Sequence, residues 1–433
     1  LQADLRERAA KAAVALLDID TALRHAEALI EAGETGDVDL LHRGMSLFGA
    51  IGNGLQRGQD VVNRLTPHLE AHPDFEEHPA LAKAAAELAR AQMLSGLSTD
   101  AEAAELADRA IGAAEKLGEL EAVADAMITR GTAFATSRNH QAMALLRGAV
   151  ELCRKHGFTG TMLRGLINIG YASQEVDETI AATEEAFAES KRVGDRNHAA
   201  FVASNLSGGY YYLWQWDDLE ALLEDPAFGA SEFSEAGRLT SQAGLARVRG
   251  TIDEIPGLLE ESSAIVGKAT DPQIVLNHER SIAADHFFEA RYEEAWEIGE
   301  RHLRTQEFAP FIALGIMATA SVGQRDRDRL ELTERETRER MAERTWAYVA
   351  DICAIQLALM DGEPERAAAI ADEAVELNES MGALDAVFTV LATVARDLPV
   401  GPQRDAYVQR AKAQCVETGA PGFADWLDVW VKS

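Results

Sequence analysis

The fold of this chain is decided by the stretch AVELCRKHG at residues 149–157, because the same pattern returns along the sequence. The pattern is an alanine, an apolar residue, six further residues and a glycine. It recurs at 110–118, 186–194 and 374–382, with a weaker copy at 411–419 in which a lysine takes the apolar position. The closing glycines are 39, 37, 188 and 37 residues apart, and 188 is five times 37.6. A fixed period of this size predicts an all-α helical-repeat solenoid, in which each unit is one supersecondary element.

Each period divides into two helices, here called A and B, and residues 161–194 show the division most clearly. Helix A carries apolar residues at spacings of three and four, which places them on one face: Met162, Leu163, Leu166, Ile167 and Ile169. Helix B ends in Lys191, Arg192 and Gly194, where cations complement the helix dipole and glycine adopts the left-handed conformation. Glycines also return at one phase inside the A helices, which predicts close helix approach there: Gly131, Gly170 and Gly208.

Two stretches depart from the repeat pattern. Residues 1–78 look helical but lack the signature, and Pro226 and Pro256 interrupt the stretch 225–270. The last segment has its aromatic and apolar residues at helical spacing: Phe423, Trp426, Leu427 and Trp430. We therefore predict irregular helical pairs in 1–78, repeats in 79–224, a bend or hinge in 225–270, further repeats in 271–419 and a capping helix in 420–433.

The charge balance restricts the classes of partner. Lys and Arg number 41 and Asp and Glu number 72, so the formal net charge is −31. A surface this acidic repels phosphate backbones and anionic headgroups, so we expect neither nucleic-acid nor membrane binding by this segment. It favours a protein or peptide ligand that is basic or amphipathic. The alternative is a solvated acidic surface without meaning for partners.

The cysteines and the termini bear on location. Cys153, Cys353 and Cys415 are far apart and odd in number, which predicts reduced core residues of a cytoplasmic protein. No apolar stretch approaches the ~20 residues of a membrane span. The first residue is Leu1 rather than methionine, so we expect a processed product or a piece of a longer protein. The oligomeric state has no signal in the sequence.

The sequence carries no pattern of a common catalytic or cofactor site. It has no Walker A loop, no G-x-S-x-G, no H-E-x-x-H, no C-x-x-C and no Rossmann glycine fingerprint. His68 and His72 are four residues apart, with His78 nearby, and two such imidazoles can begin a zinc site. Pro73 interrupts the helix directly afterwards, so we favour a solvated helix end. The prediction is a non-enzyme without metal or cofactor.

Three stretches resemble tetratricopeptide repeats. They are 214–221, 292–296 and 362–367, where a glycine or aromatic residue, a short acidic turn and an alanine mark the entry to helix B. The resemblance covers residues 80–420 and implies a right-handed superhelix of antiparallel helix pairs with the A helices on its inner surface. The period of 37–40 residues departs from the usual repeat of about 34.

A second, narrower resemblance concerns the longer, alanine-rich form of these repeats. Residues 205–218 are similar to the C-terminal arms of large bacterial signalling proteins. Those arms follow an ATPase of the signal-transduction type that is coupled to a nucleotide cyclase or a LuxR-type DNA-binding domain. The resemblance implies a role in signal transduction or transcription regulation, and a location in the bacterial cytosol.

Two groups of residues are candidates for ligand binding. The first holds five of the 13 Tyr and Trp residues within seven positions: Tyr210, Tyr211, Tyr212, Trp214 and Trp216. Consecutive residues cannot share one helix face, so some of these rings are predicted to line a groove, where aromatics supply contact area. The alternative is core packing. The second group is Asn168 and Asn205, 37 residues apart, for which the resemblance implies hydrogen bonds to a bound peptide backbone.

Together these features predict a non-catalytic scaffold that binds protein or peptide. The repeat period and the lack of a catalytic pattern support this prediction. The alternative is a ligand-sensing regulatory arm of a larger ATPase, nucleotide cyclase or transcriptional regulator, in which the segment 225–270 is the flexible point.

Overall fold

The computed structural model describes residues 2–16, 18–54, 57–95, 98–135, 137–230, 232–267, 272–305, 310–341 and 346–433. In these ranges the chain forms 23 α-helices, two short 3₁₀ helices and no strand. The chain divides into two compact units, Leu1–Val202 and Ala203–Ser433, with the boundary inside one helix. Among the described residues, no helix is both long and apolar enough to cross a membrane.

The first unit contains ten helices and the start of an eleventh. They are α1 (Gln2–Ala15), α2 (Ile19–Glu34), α3 (Val38–Gly54), α4 (Gly58–Glu70), α5 (Pro79–Ser95), α6 (Asp100–Leu117), α7 (Leu120–Ala133), α8 (Asn139–His156), α9 (Thr159–Ala172), α10 (Val176–Val193) and α11 (Arg196–Tyr212). A 3₁₀ helix, Phe75–Glu77, precedes α5.

The second unit contains the rest of α11 and twelve further helices. They are α12 (Trp216–Leu223), α13 (Glu232–Arg249), α14 (Ile255–Val266), α15 (Pro272–Phe288), α16 (Tyr292–Thr305), α17 (Pro310–Gln324), α18 (Arg327–Arg340), α19 (Ala347–Met360), α20 (Pro364–Ser380), α21 (Leu384–Asp397), α22 (Pro402–Thr418) and α23 (Pro421–Trp430). The other 3₁₀ helix is Ile252–Glu254.

The repeat signature has a direct structural basis at its two ends. The signature alanines are buried, with Ala110, Ala149 and Ala186 fully covered. The closing Gly157 has φ 75° and Gly194 also has φ 75°, so each ends its B helix in the left-handed conformation that glycine adopts without strain. The small alanine lets helices pack closely and the glycine turns the chain into the next pair.

Consecutive helices pack against each other within each unit. In the first unit α5 packs on α6, α6 on α7 and α7 on α8, and the A helices α5, α7 and α9 also contact one another. In the second unit the A helices α13, α15, α17, α19 and α21 form a continuous row. Connections as short as Gly118 and Glu119 between α6 and α7 force neighbours to run antiparallel. The predicted all-α solenoid of helix pairs is therefore confirmed, and its right-handedness stays a prediction.

The glycine prediction is confirmed at two positions and wrong at the third. A Cβ on Gly131 would lie 3.0 Å from Leu146, and one on Gly170 would lie 2.6 Å from the Thr183 hydroxyl. A Cβ on Gly208 would meet nothing within 4 Å. Of these three positions, only Gly131 and Gly170 need a glycine to allow the close approach of a neighbouring helix.

The predicted domain limits are not decided by these helices. The segment predicted as a bend, 225–270, contains α13 and α14, and its residues 231 and 268–270 lie outside the described ranges. The division between compact units falls earlier, between Val202 and Ala203. The bend stays a prediction.

Candidate functional site

In the second unit, the last helix, α23, lies against the A helices. It contacts α13 and α21 as well as its neighbour α22. The ring of Phe423 is central, because it stacks on Phe388 of α21 at 5.3 Å and on Phe288 of α15 at 5.6 Å between ring centroids. Trp214, which follows α11, lies 5.4 Å from the same ring. The surface formed by Trp214, Phe287, Phe288 and Phe388 is called the aromatic face below.

Two tryptophans of α23 extend the contact. Trp426 lies 5.0 Å from Phe288 and 5.0 Å from Trp430. Trp430 lies 5.4 Å from Phe287, and its indole N–H donates to the Ala392 carbonyl at 3.0 Å. The guanidinium of Arg396 lies 4.1 Å from the centroid of the Trp430 ring, a cation–π contact between buried groups. The aromatic side of α23 thus packs against α15 and α21, with Phe423 and Trp430 buried and Trp426 partly buried.

The backbone at both ends of α23 is also held. At the start, Gly422 lies so close to α13 that a Cβ there would be 2.0 Å from the Arg247 carbonyl and 2.7 Å from the Gly250 amide. Arg249 donates to the Gly419 carbonyl at 2.7 Å, just before the helix. At the end, Arg404 donates to the Val431 carbonyl, where a cation complements the helix dipole.

The sequence of α23 explains why it forms this amphipathic helix. Pro421 occupies the first turn, where its fixed φ suits helix initiation. Phe423, Leu427 and Trp430 are spaced four and three apart and are buried, whereas Val429 on the other side is 68% exposed. The helix that this spacing predicts is present, and its role as a cap of the repeats stays a prediction.

The aromatic residues predicted as a groove are mostly inside the fold. Tyr210, Trp214 and Trp216 are buried, with exposures of 8%, 4% and 2%, whereas Tyr211 and Tyr212 are partly buried. This placement matches core packing, the alternative that the sequence left open. Trp214 has φ 57°, where the chain turns after α11, and its indole packs against Phe388 and Phe423. Ligand contact by these rings stays a prediction, and for Trp214 it requires α23 to move.

A partly buried carboxylate lies beside the aromatic face. Asp385 at the start of α21 accepts a hydrogen bond from the Trp214 indole N–H at 3.4 Å. Burial raises the pKa of Asp385 to about 6, although this hydrogen bond and the charge of Arg280 act in the opposite direction. The Asp385 carboxylate also acts on three nearby tyrosines. Burial, together with the negative charge of Asp385, raises the pKa of the phenols of Tyr211, Tyr212 and Tyr348.

Replacing Asp385 by asparagine is expected to remove a pH-dependent part of the stability. The folded-state pKa of about 6 lies above the ordinary 3.8, so between these values the native state keeps a proton that the unfolded chain has lost. Wild-type stability therefore decreases as the pH rises through this window, by at most about 2 kcal/mol from this group. Urea unfolding of both proteins at pH 4.5 and pH 7 measures the difference.

The Asp385 experiment has a matched control and an internal correction. Asp253→Asn on an exposed residue is expected to leave the pH dependence unchanged. Asp351, whose pKa burial also raises to about 6, contributes equally to wild type and variant and cancels in the difference. Parallel stability curves for wild type and D385N would contradict the assignment.

The first unit carries a different, polar arrangement on its A helices. Asn53 of α3 donates from its side-chain amide to the Glu87 carboxylate of α5 at 2.7 Å and to the Glu87 carbonyl at 2.8 Å. Burial and the nearby Asp125 carboxylate raise the pKa of Glu87, with Arg90 acting against them. Burial, followed by the charge of Arg164, lowers the pKa of Arg90. These groups form a partly buried network that crosses three A helices.

The network continues through α7 and α9. Arg164, 7% exposed, forms a salt bridge with Asp125 and also donates to the Asp125 carbonyl at 2.9 Å. Its other amino group donates to the Thr129 hydroxyl at 2.6 Å. Sequence reasoning missed this network, although Glu87, Asp125 and Arg164 are 38 and 39 residues apart, close to the repeat period. That recurrence of charge among apolar A-helix residues is the signal that could have found it.

The two predicted asparagines differ in their surroundings. Asn168 of α9 is partly buried, donates to the Arg164 carbonyl at 2.7 Å and accepts from the Thr132 hydroxyl at 2.8 Å. Asn205 of α11 is exposed and belongs to the second unit. Asn168 therefore already has partners within its own unit, and peptide contact by either asparagine stays a prediction.

Comparison with known proteins gives no family. No protein-family model matches the chain, and no curated protein matches it. Among solved structures the chain is similar to yeast Tom70, with 14% identity and a TM-score of 0.40 over 94% of this chain and 99% of that one. It is also similar to a circular tandem repeat protein of novel repeat topology, with 15% identity and a TM-score of 0.16 over 98% and 96%. Because both likenesses are weak, the class of protein, an all-α solenoid of helix pairs, rests on the helix packing itself, and the tetratricopeptide resemblance stays a prediction.

Proposed function

We propose that this protein is a non-catalytic interaction scaffold whose second unit binds an amphipathic helix on the aromatic face. The observation that carries the proposal is the position of α23, which lies on that face as a bound helix would. Recognition of a helix by apolar anchors at spacings of three and four is a common mode of peptide binding. In this proposal α23 is the occupant when no partner is present, and a partner helix replaces it.

The contacts of α23 define the chemistry of such a partner. It carries large aromatic or aliphatic residues at the positions of Phe423, Leu427 and Trp430. Arginines already contribute the positive charge of the site, since Arg396 lies over Trp430 and Arg404 binds the last carbonyls of α23. The partner segment is therefore amphipathic, and its basic character stays a prediction, because Asp397 already pairs with Arg396. Replacement of α23 requires only a difference in affinity between the two helices.

Gly422→Ala is expected to open the site to a helix added in trans. A Cβ at this position clashes with backbone atoms of Arg247 and Gly250, which cannot move aside. We therefore expect α23 to lose its packing contact with α13. A fluorescent peptide of residues 420–433 is expected to bind the full-length variant at least about tenfold more tightly than wild type, since the competing helix is released. Fluorescence anisotropy measures both affinities.

The controls separate release of α23 from loss of structure. Gly315→Ala, where a Cβ meets nothing within 4 Å, is expected to behave as wild type. Far-ultraviolet circular dichroism reports whether Gly422→Ala stays folded, and Phe423→Ala provides a second variant that adds no clash. If both variants are folded and neither binds the peptide better than wild type, the proposal is wrong.

The remaining parts of the functional prediction belong to the same proposal. Lack of catalysis, no binding to nucleic acid or membrane, and location in the bacterial cytosol stay predictions. The alternative, a ligand-sensing arm of a larger ATPase, nucleotide cyclase or transcriptional regulator, also stays a prediction. An α23 that moves between bound and released positions would serve either function.

A further inference from the structure

Four histidines meet in the first unit where α3, α4 and the approach to α5 come together. His42 lies on α3, His68 on α4, His72 directly after α4 and His78 directly before α5. His42 is 4% exposed and His68 is 8% exposed. The interpretation of His68 as part of a solvated helix end is therefore wrong, because α3 covers it. His42, which is 26 residues earlier in the chain, had no sequence signal.

The distances between these rings are those of a ligand cluster. Nδ1 of His42 lies 3.1 Å from Nε2 of His68. One ring nitrogen from each of His42, His68 and His72 can be chosen so that all three lie within 4.8 Å of one another. Two nitrogens bound to one tetrahedral ion at about 2.0–2.1 Å are about 3.3 Å apart. Small side-chain rotations bring three nitrogens of this cluster to such a geometry.

His78 and Asp39 lie at the edge of the cluster. The His78 ring centroid lies 4.8 Å from that of His42. Its Nδ1 accepts the Ala80 amide hydrogen at 3.2 Å, so its Nε2 carries the proton and donates to Asp39 at 3.2 Å.

We propose that His42, His68 and His72 bind one divalent transition-metal ion of the zinc class. Three imidazole nitrogens favour zinc, copper or nickel over magnesium and calcium, which prefer oxygen ligands. The ion joins α3 to α4 and to the segment that leads into α5. It therefore ties together the helices at the start of the first unit, far in sequence from the aromatic face.

Zinc titration of the full-length protein tests the site. After treatment with EDTA and dialysis, competition with a chromophoric chelator is expected to show one zinc ion per chain. The variants His42→Gln and His68→Gln are each expected to weaken binding at least about tenfold, since a direct ligand is lost. His156→Gln, which changes an exposed histidine of α8, is the matched control and is expected to bind as wild type.

Cobalt substitution provides a readout of geometry that does not depend on affinity alone. Co²⁺ bound by three imidazoles is expected to give the intense visible bands of a tetrahedral complex, which excess zinc abolishes. Zinc is also expected to raise the thermal midpoint of wild type and not of His68→Gln, because it binds only the folded cluster. Zinc affinity unchanged in both ligand variants, or a weak octahedral cobalt spectrum, would overturn the proposal.

Discussion

Replacing Trp430 by alanine is expected to destabilise the second unit by about 3–5 kcal/mol, the usual range for a large aromatic residue removed from a packed core. The indole is 3% exposed and contacts the rings of Phe287 and Trp426. The change also leaves Arg396 without its cation–π partner and the Ala392 carbonyl without its donor. The lost ring packing, the lost cation–π contact and the lost hydrogen bond all weaken the attachment of α23.

Tryptophan fluorescence measures the unfolding of the second unit, because all six tryptophans of the chain lie between residues 214 and 430. Urea unfolding followed by this signal reports the second unit alone. Val429→Ala is the matched control one residue earlier, on the exposed side of α23, and is expected to change stability by less than about 0.5 kcal/mol. A Trp430→Ala variant as stable as Val429→Ala would show that α23 does not pack on the aromatic face.

The second large effect is expected in the first unit, where Arg164→Met should cost about 3–5 kcal/mol. Methionine keeps much of the apolar stem but removes the charge that balances Asp125 and the donor to the Thr129 hydroxyl. The carboxylate is then left partly buried without its partner, and this uncompensated charge dominates the cost. Circular dichroism is the signal to follow, since the first unit contains no tryptophan.

Two further variants test whether the unpaired Asp125 carboxylate causes the loss of stability in Arg164→Met. The double variant Arg164→Met with Asp125→Asn is expected to recover part of the stability, because the unpaired carboxylate is gone. Arg154→Met breaks a salt bridge to Glu185 whose side chains are 42% and 44% exposed, and is expected to cost at most about 1 kcal/mol. Equal losses for Arg154→Met and Arg164→Met would contradict the role given to burial.

The local features of the repeat could be predicted from the sequence because they depend on neighbours in the chain. A buried alanine such as Ala149 and a left-handed glycine such as Gly157 follow from helix geometry within one period. The amphipathic spacing in α23 is local in the same sense. Gly208 was misread because its phase matched the pattern, whereas close approach depends on which neighbouring side chain lies opposite.

The aromatic face and the histidine cluster could be found only in the tertiary structure. Each brings together residues that are far apart in the sequence and are not related by the repeat period. Trp214 was noticed in the sequence, but Phe388 and Phe423, against which it packs, are 174 and 209 residues later. His68 was noticed as well, but His42 completes its cluster from another helix.

The sequence by itself therefore determined the helices, their pairing and the acidic charge. These follow from periodicity and composition, which a single chain displays directly. The tertiary structure alone decided that α23 covers the aromatic face and that histidines meet beside α4. The physical reason is that burial, pKa and ligand geometry depend on distances in space between segments distant in sequence.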